Sequence, residues 1–111
     1  MPIYKILLPA EWNRFRAEGR FDGSPFDHAS GFVHCSSRAQ VVDTARRVFA
    51  TEPELVVVAL DEAQLDDVRW EPASDGRGTF PHVYGALVTA AVLADHHVAG
   101  AALVEGVLSG E

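Results

Sequence analysis

A chain of 111 residues with 48% hydrophobic and 23% charged side chains has room for one domain with one core, in the ordinary composition of a soluble globular protein. Its formal net charge of -7 speaks against a general nucleic-acid binder, because nonspecific affinity comes mainly from cations on phosphates. No stretch is long and apolar enough to span a bilayer, and the start, Met1-Pro2-Ile3-Tyr4-Lys5, lacks a signal peptide's charged and apolar regions, so a cytoplasmic location is expected.

Ile3 to Leu8 is a short apolar run broken once by Lys5, which suits a buried strand. Pro9 opens a helix running from about Ala10 to Glu18, with Trp12, Phe15 and Ala17 inward, and Gly19 ends it. Residues 20 to 31 hold Gly23, Ser24, Pro25, Asp27, Ser30 and Gly31 and read as an ordered surface loop, its charges solvated. Phe32 to Ser36 then reads as a strand, with Phe32, His34 and Ser36 on one face and Val33 and Cys35 on the other.

Ser37 with Gln40 three residues on is a capping-box pattern, placing a helix from Arg38 to about Ala50. Its apolar stripe of Val41, Val42, Ala45, Val48 and Phe49 is assigned to core packing. Thr51 to Glu54 is a turn, Leu55 to Leu60 a strand buried on both faces, and Asp61 to Asp67 a single helical turn at most. Val68 to Glu71 is a strand with Val68 and Trp70 on one side and Arg69 and Glu71 on the other; Pro72 to Gly78 is a turn or lid. Phe80 to Gly85 puts Phe80, His82 and Tyr84 on one face if extended. Ala86 to Leu93, then His96 to Val98 and Ala101 to Leu108, are expected as the last strands.

The chemistry gathers on His34, Ser36, Glu71, His82 and Tyr84. A general base needs a group titrating near neutral pH, which histidine provides, and a cation-like sugar intermediate needs a carboxylate, which Glu71 offers. The plainer readings are a core histidine bonded to a carbonyl, and a surface Glu71 paired with Arg69 or Arg77. Free amides at the start of the helix after Ser37, with Arg38 adjacent, suit a phosphate or carboxylate. The charge distribution agrees: residues 1–50 carry seven basic and five acidic side chains, residues 51–111 two basic and eleven acidic, so an anionic ligand should meet the first half. A lone Cys35 excludes an internal disulfide and a thiolate zinc cage from one chain. His34, His82 and Glu71 could be drawn as a metal set, but no HxH, HExxH or HxxxH pair supports it, and no metal is expected. There is likewise no GxSxG for a serine hydrolase.

At Gly31 to Ser37, followed by Trp70-Glu71 and by Phe80 to Gly85, the chain resembles a family of short, mainly bacterial proteins known as a domain of unknown function, number nine-five-two. The resemblance runs from about Tyr4 to Leu87 and takes in Trp12 and Gly19. That family is similar in fold to the ADP-ribosyltransferases and the RNA 2'-phosphotransferases, which split NAD or transfer its ADP-ribose. The resemblance implies an α+β domain of ADP-ribosyltransferase-like fold, two small packed sheets with two main helices and a cleft between the sheets. NAD or a related anionic nucleotide is the expected ligand; the resemblance does not by itself imply activity, and ADP-ribosyl or phosphoryl transfer is the chemistry expected if the protein is catalytic. His34-Cys35-Ser36 looks like the His-Leu-Ser strand of the phosphotransferases, whereas Tyr4-Lys5-Ile6-Leu7 stands where active relatives carry a His-Gly-Thr-like motif.

The expected site therefore has His34, Glu71 and His82 as catalytic candidates, and Ser36, Ser37, Arg38, Trp70 and Tyr84 as ligand contacts. His34 and the amides from Arg38 would meet phosphate or ribose, Tyr84 and Trp70 would stack on a ring, and Glu71 would stabilise positive charge at the ribose carbon. The alternative from another class is a regulatory module without turnover that binds a metabolite or a partner protein's tail. All of this requires the His34 and His82 strands to be neighbours.

Overall fold

The computed structural model describes residues 1–110. In chain order it runs β1 (Pro2–Leu7), α1 (Pro9–Glu18), β2 (Arg20–Phe21), α2 (Pro25–Ser30), β3 (Val33–His34), α3 (Arg38–Val48), β4 (Leu55–Asp61), β5 (Val68–Pro72), β6 (Thr79–Val83), β7 (Leu87–Val88), β8 (Val92–Val98) and α4 (Val104–Leu108). Single 3-10 turns at Glu62–Gln64, Thr89–Ala91 and Ala101–Leu103 connect them.

β4 is the axis of this mixed α+β arrangement. Its continuous apolar run leaves no polar face to turn to water, so it pairs antiparallel with β1 on one side and β8 on the other and is covered above and below. Val56, Val58 and Leu60 face one core with Trp12, Phe15 and Phe21. Leu55, Val57 and Ala59 face a second with Val41, Ala45, Val104 and Leu108. One strand thus serves two cores, where composition implied one.

The expected two sheets are three among the described residues: β1-β4-β8, β2-β7 and β3-β6-β5. A bridge between Tyr4 and Ser36, with both amides and carbonyls exchanged at 2.8 Å, ties the third sheet to the free edge of β1. This joint brings the β3 strand against β1. The two long helices stand where expected: Gly19 caps α1 in a left-handed conformation at φ 80°, where a side chain would be strained. Ala17, however, is exposed.

Two segments differ in kind. Residues 20–31 are not a loop throughout but contain β2 and α2. Ser24 Oγ accepts the Asp27 amide and Asp27 accepts the Ser24 amide, while Pro25 occupies the first helical position, where its missing donor costs nothing. The C-terminal segment is helix rather than strand, since Ala101, Val104 and Leu108 are buried at spacings of one helical face. Likewise β8 takes His96 and His97 into a strand begun at Val92, so that Ala86–Leu93 is only partly extended.

Candidate active site

β3 and β6 are neighbours, antiparallel, with His34 directly opposite His82. Opposed residues project to the same face of a sheet, and the imidazole centroids lie 6.0 Å apart. Phe32 lies between the histidines: its ring stacks on His82 at 3.9 Å and sits 4.6 Å from His34. Phe26, from α2, stacks on His34 at 4.5 Å.

Each histidine is held by a carboxylate from another element. Asp27 Oδ1 meets His34 Nδ1 at 2.6 Å and also accepts the His34 amide at 3.0 Å. Glu71 Oε1, on β5, meets His82 Nδ1 at 2.8 Å. An ionised carboxylate only accepts, so both Nδ1 atoms carry a proton and the neutral tautomer of each ring has its lone pair on Nε2. Two imidazoles fixed in this way can divide the labour of a base and an acid.

Asp27 is the residue that sequence reading missed. It is 1% exposed and buried beside Lys5, whose Nζ lies 3.1 Å from Oδ2 and donates to the His34 carbonyl at 2.9 Å. Burial alone would push the Asp27 carboxyl up. The hydrogen bond from His34, the Lys5 ammonium and the Ser24 and His34 amides outweigh it and hold the group well below the usual carboxylate range. The capping-box acid of α2 is thereby also the orienting group of His34. Lys5, which looked like a polar break in β1, is the cation that keeps this acid charged.

Glu71 is more open. Its carboxyl is lowered by hydrogen bonds, that of the Tyr84 hydroxyl at 2.7 Å first and that of His82 second. The same bond to Glu71 raises the Tyr84 phenol. Arg69, also absent from the expected site, spreads its guanidinium over the Tyr84 ring at 4.1 Å.

His34, His82 and Glu71 floor a cleft of about 1110 Å³ whose lining also includes Ser36 and Phe80. Its other walls come from β1 (Tyr4, Ile6), α2 (Phe26), α3 (Thr44, Arg47, Val48) and the turn between β5 and β6 (Ser74, Asp75, Arg77). Val48, assigned to the core from its helical spacing, is 55% exposed and lines this cleft instead. Ser36 is buried and donates to Thr44.

Four expected ligand contacts, Ser37, Arg38, Trp70 and Tyr84, lie off the lining of this cleft. Arg38 turns to the carbonyl of Leu108 at 2.9 Å, drawn by the C-terminal helix that sequence reading took for a strand. The Ser37 amide is spent on Gln40 Oε1 at 2.9 Å, and neither Ser37 nor Arg38 is on the lining of the cleft. Trp70 sits on the face of β5 opposite Glu71 and donates its indole N–H to Glu62 at 2.7 Å, outside the cleft. Tyr84 borders a smaller depression of about 300 Å³ on the other side of Phe32. Cys35 is buried among apolar side chains, which pushes its thiol up to about 12 and makes it a poor nucleophile. Among the described residues no three His, Cys, Asp or Glu side chains converge as metal ligands, and no helix is long and apolar enough to cross a membrane.

Residues 6–95 match the family model described as "Protein of unknown function (DUF952)". Among solved structures the chain is similar to protein CC0527 from Caulobacter crescentus. Its crystal structure shares 39% identity with a TM-score of 0.81, covering 87% of this chain and 85% of that one. Its solution structure shares 35% identity with a TM-score of 0.83, covering 99% and 98%. Among curated proteins no match was found.

Proposed function

The chain belongs to the DUF952 family, and on that premise we propose that its cleft binds a nucleotide or related anionic small molecule over the His34 and His82 pair. NAD and ADP-ribose are the leading candidates, in a fold of the ADP-ribosyltransferase kind. One observation carries the reading: two opposed histidines, each with Nδ1 on a carboxylate, on the floor of one cleft. Acid–base transfer is the use this arrangement suits. One neutral imidazole takes the proton of an attacking hydroxyl through Nε2, and the other, entering the step doubly protonated as imidazolium, gives its Nε2 proton to the departing oxygen. Such a pair serves phosphoryl transfer directly. For ADP-ribosyl transfer, Glu71 adds its second oxygen, Oε2, to stabilise positive charge at the ribose carbon.

Asp27 is a positioning residue here and Lys5 supports it, as both act through His34. Ser36, Phe80 and the ring of Phe32 complete the contact surface; Ser37, Arg38, Trp70 and Tyr84 leave it.

A module without turnover is the second reading, favoured by one observation: Oε1 of Glu71 is already engaged by both Tyr84 and His82, a satisfied network rather than a group awaiting charge. Glu71→Gln separates the two. The transferase reading loses turnover and keeps affinity, while the module has no turnover to lose. The first test of binding is calorimetric titration with NAD, ADP-ribose and a 2'-phosphorylated nucleotide, with His34→Ala as control. Heat that vanishes in the variant supports the reading; no heat with any of the three sinks the nucleotide ligand.

A further inference from the structure

Three cationic side chains line the cleft: Lys5, Arg47 and Arg77. Lys5 is buried, its ammonium bound to Asp27 and to the His34 carbonyl. Arg47 and Arg77 are therefore the cations that the lining can turn toward an incoming anion. They arrive from separate elements, α3 and the β5–β6 turn, and converge on one oxygen. Arg47 Nε donates to Asp43 Oδ2 at 2.9 Å, and Arg77 Nη1 lies 3.8 Å from that same atom.

The Asp43 side chain is 65% exposed and that of Arg77 46%, so their pairing is of the screened surface kind and readily given up. Arg77 is held to its own turn by Asp75, through Nε at 2.7 Å. The turn closes on Gly76 and Gly78, both at positive φ, which glycine adopts freely. Arg47 thus hydrogen-bonds the Asp43 oxygen while Arg77 stands at ion-pair distance from it; the several oxygens of a phosphoryl group match two such guanidinium groups better than one carboxylate oxygen does.

We propose that Arg47 and Arg77 form a phosphate subsite at the rim of the cleft, in which a phosphoryl group of the ligand draws the two guanidinium groups from the Asp43 carboxylate, which lies outside the cleft lining. The subsite rests on the reading that the cleft binds a ligand, and it narrows that ligand's class. The ligand is bipartite, with a phosphate at the arginines and its reacting group over His34 and His82. Its uncharged middle meets the apolar part of the lining, which includes Val48, Phe49 and Phe80.

The test uses inorganic phosphate and the arginine Nε–H signals of ¹⁵N-labelled protein. Saturable shifts of the Arg47 and Arg77 signals are expected, with the Arg69 signal still, because its pair with Asp67 lies outside the cleft. Arg77→Gln should weaken phosphate binding about tenfold, the size of one charge-assisted hydrogen bond. Asp43→Asn should tighten it several-fold by removing the competing carboxylate, whereas Asp67→Asn should create no phosphate response at Arg69. Still Arg47 and Arg77 signals, or an Asp43→Asn variant that binds phosphate no better, would overturn the subsite. The nucleotide reading fails separately: phosphate shifts without any binding of ADP-ribose keep the subsite and remove that ligand. ADP-ribose binding with unmoved arginine signals does the reverse.

Discussion

Lys5→Met removes a buried ammonium while keeping the length of the side chain. The lost partner is the cation 3.1 Å from Asp27 Oδ2, with both groups nearly inaccessible at 8% and 1% side-chain exposure. Breaking a buried pair from one side costs about 3–5 kcal/mol, since the remaining charge stays desolvated. Asp27 retains His34 and two amides, which places the loss at the lower end, about 3 kcal/mol. For a chain of 111 residues that corresponds to a drop in melting temperature of roughly 10–20 °C. Asp27→Asn should cost a similar amount, because it strands Lys5 instead. The double variant should be no worse than the poorer single one, giving a coupling energy of about 2 kcal/mol or more in a denaturant-unfolding cycle. Singles that simply add would refute the claim that Lys5 and Asp27 form one unit.

Acid unfolding should report the same carboxylate. Asp27 is depressed in the folded state, so its contribution is full above an ordinary aspartate value of about 4 and fades as pH falls through the folded value. The stability curve of Asp27→Asn should therefore be flatter over that window; an unchanged slope on acidification counts against the assignment. Glu71→Gln should let Tyr84 ionise at lower pH, read by ultraviolet titration against Tyr84→Phe, because the Glu71 bond is the main cause that raises its pKa. A titration curve that does not move would place the Tyr84 hydroxyl elsewhere. Cys35, with its thiol pushed up to about 12, should react with a disulfide-exchange reagent only as fast as the chain unfolds; modification at the rate of a free thiol would contradict its burial. Leu108→Ala should cost about 2–5 kcal/mol, whereas a change within experimental error would remove α4 from the second core.

Patterns confined to a few neighbouring residues were legible in the sequence. The run from Leu55, the proline and glycine around α1, and the Ser37–Gln40 cap each carry their cause locally, and each element formed where that cause predicted. The two histidine strands could be recognised one by one, but their pairing depends on the register of β3 with β6, which no local pattern states. Asp27 illustrates the harder failure. Its capping box with Ser24 was present in the sequence, yet the density of Gly, Pro and Ser around it argued for a loop. Its service to His34 exists only once α2 folds back on β3. Val48 shows the converse: helical spacing names an apolar face but cannot say that this face ends in a cleft. Ala101, Val104 and Leu108 held a readable helical spacing, overridden by the expectation that an apolar C-terminal run continues a sheet.

The central claim is that His34 and His82 both carry their proton on Nδ1 and present Nε2 to the ligand. Long-range ¹H–¹⁵N correlation of the imidazole rings measures this directly, first alone and then with ADP-ribose added. A protonated Nδ1 and a lone pair on Nε2 are expected in the neutral form of both rings, with both Nε2 signals shifting as ligand binds. Protonated Nε2 with a bare Nδ1 in either ring would contradict the carboxylate pairing, and Nε2 signals indifferent to ADP-ribose would contradict its binding over the histidines.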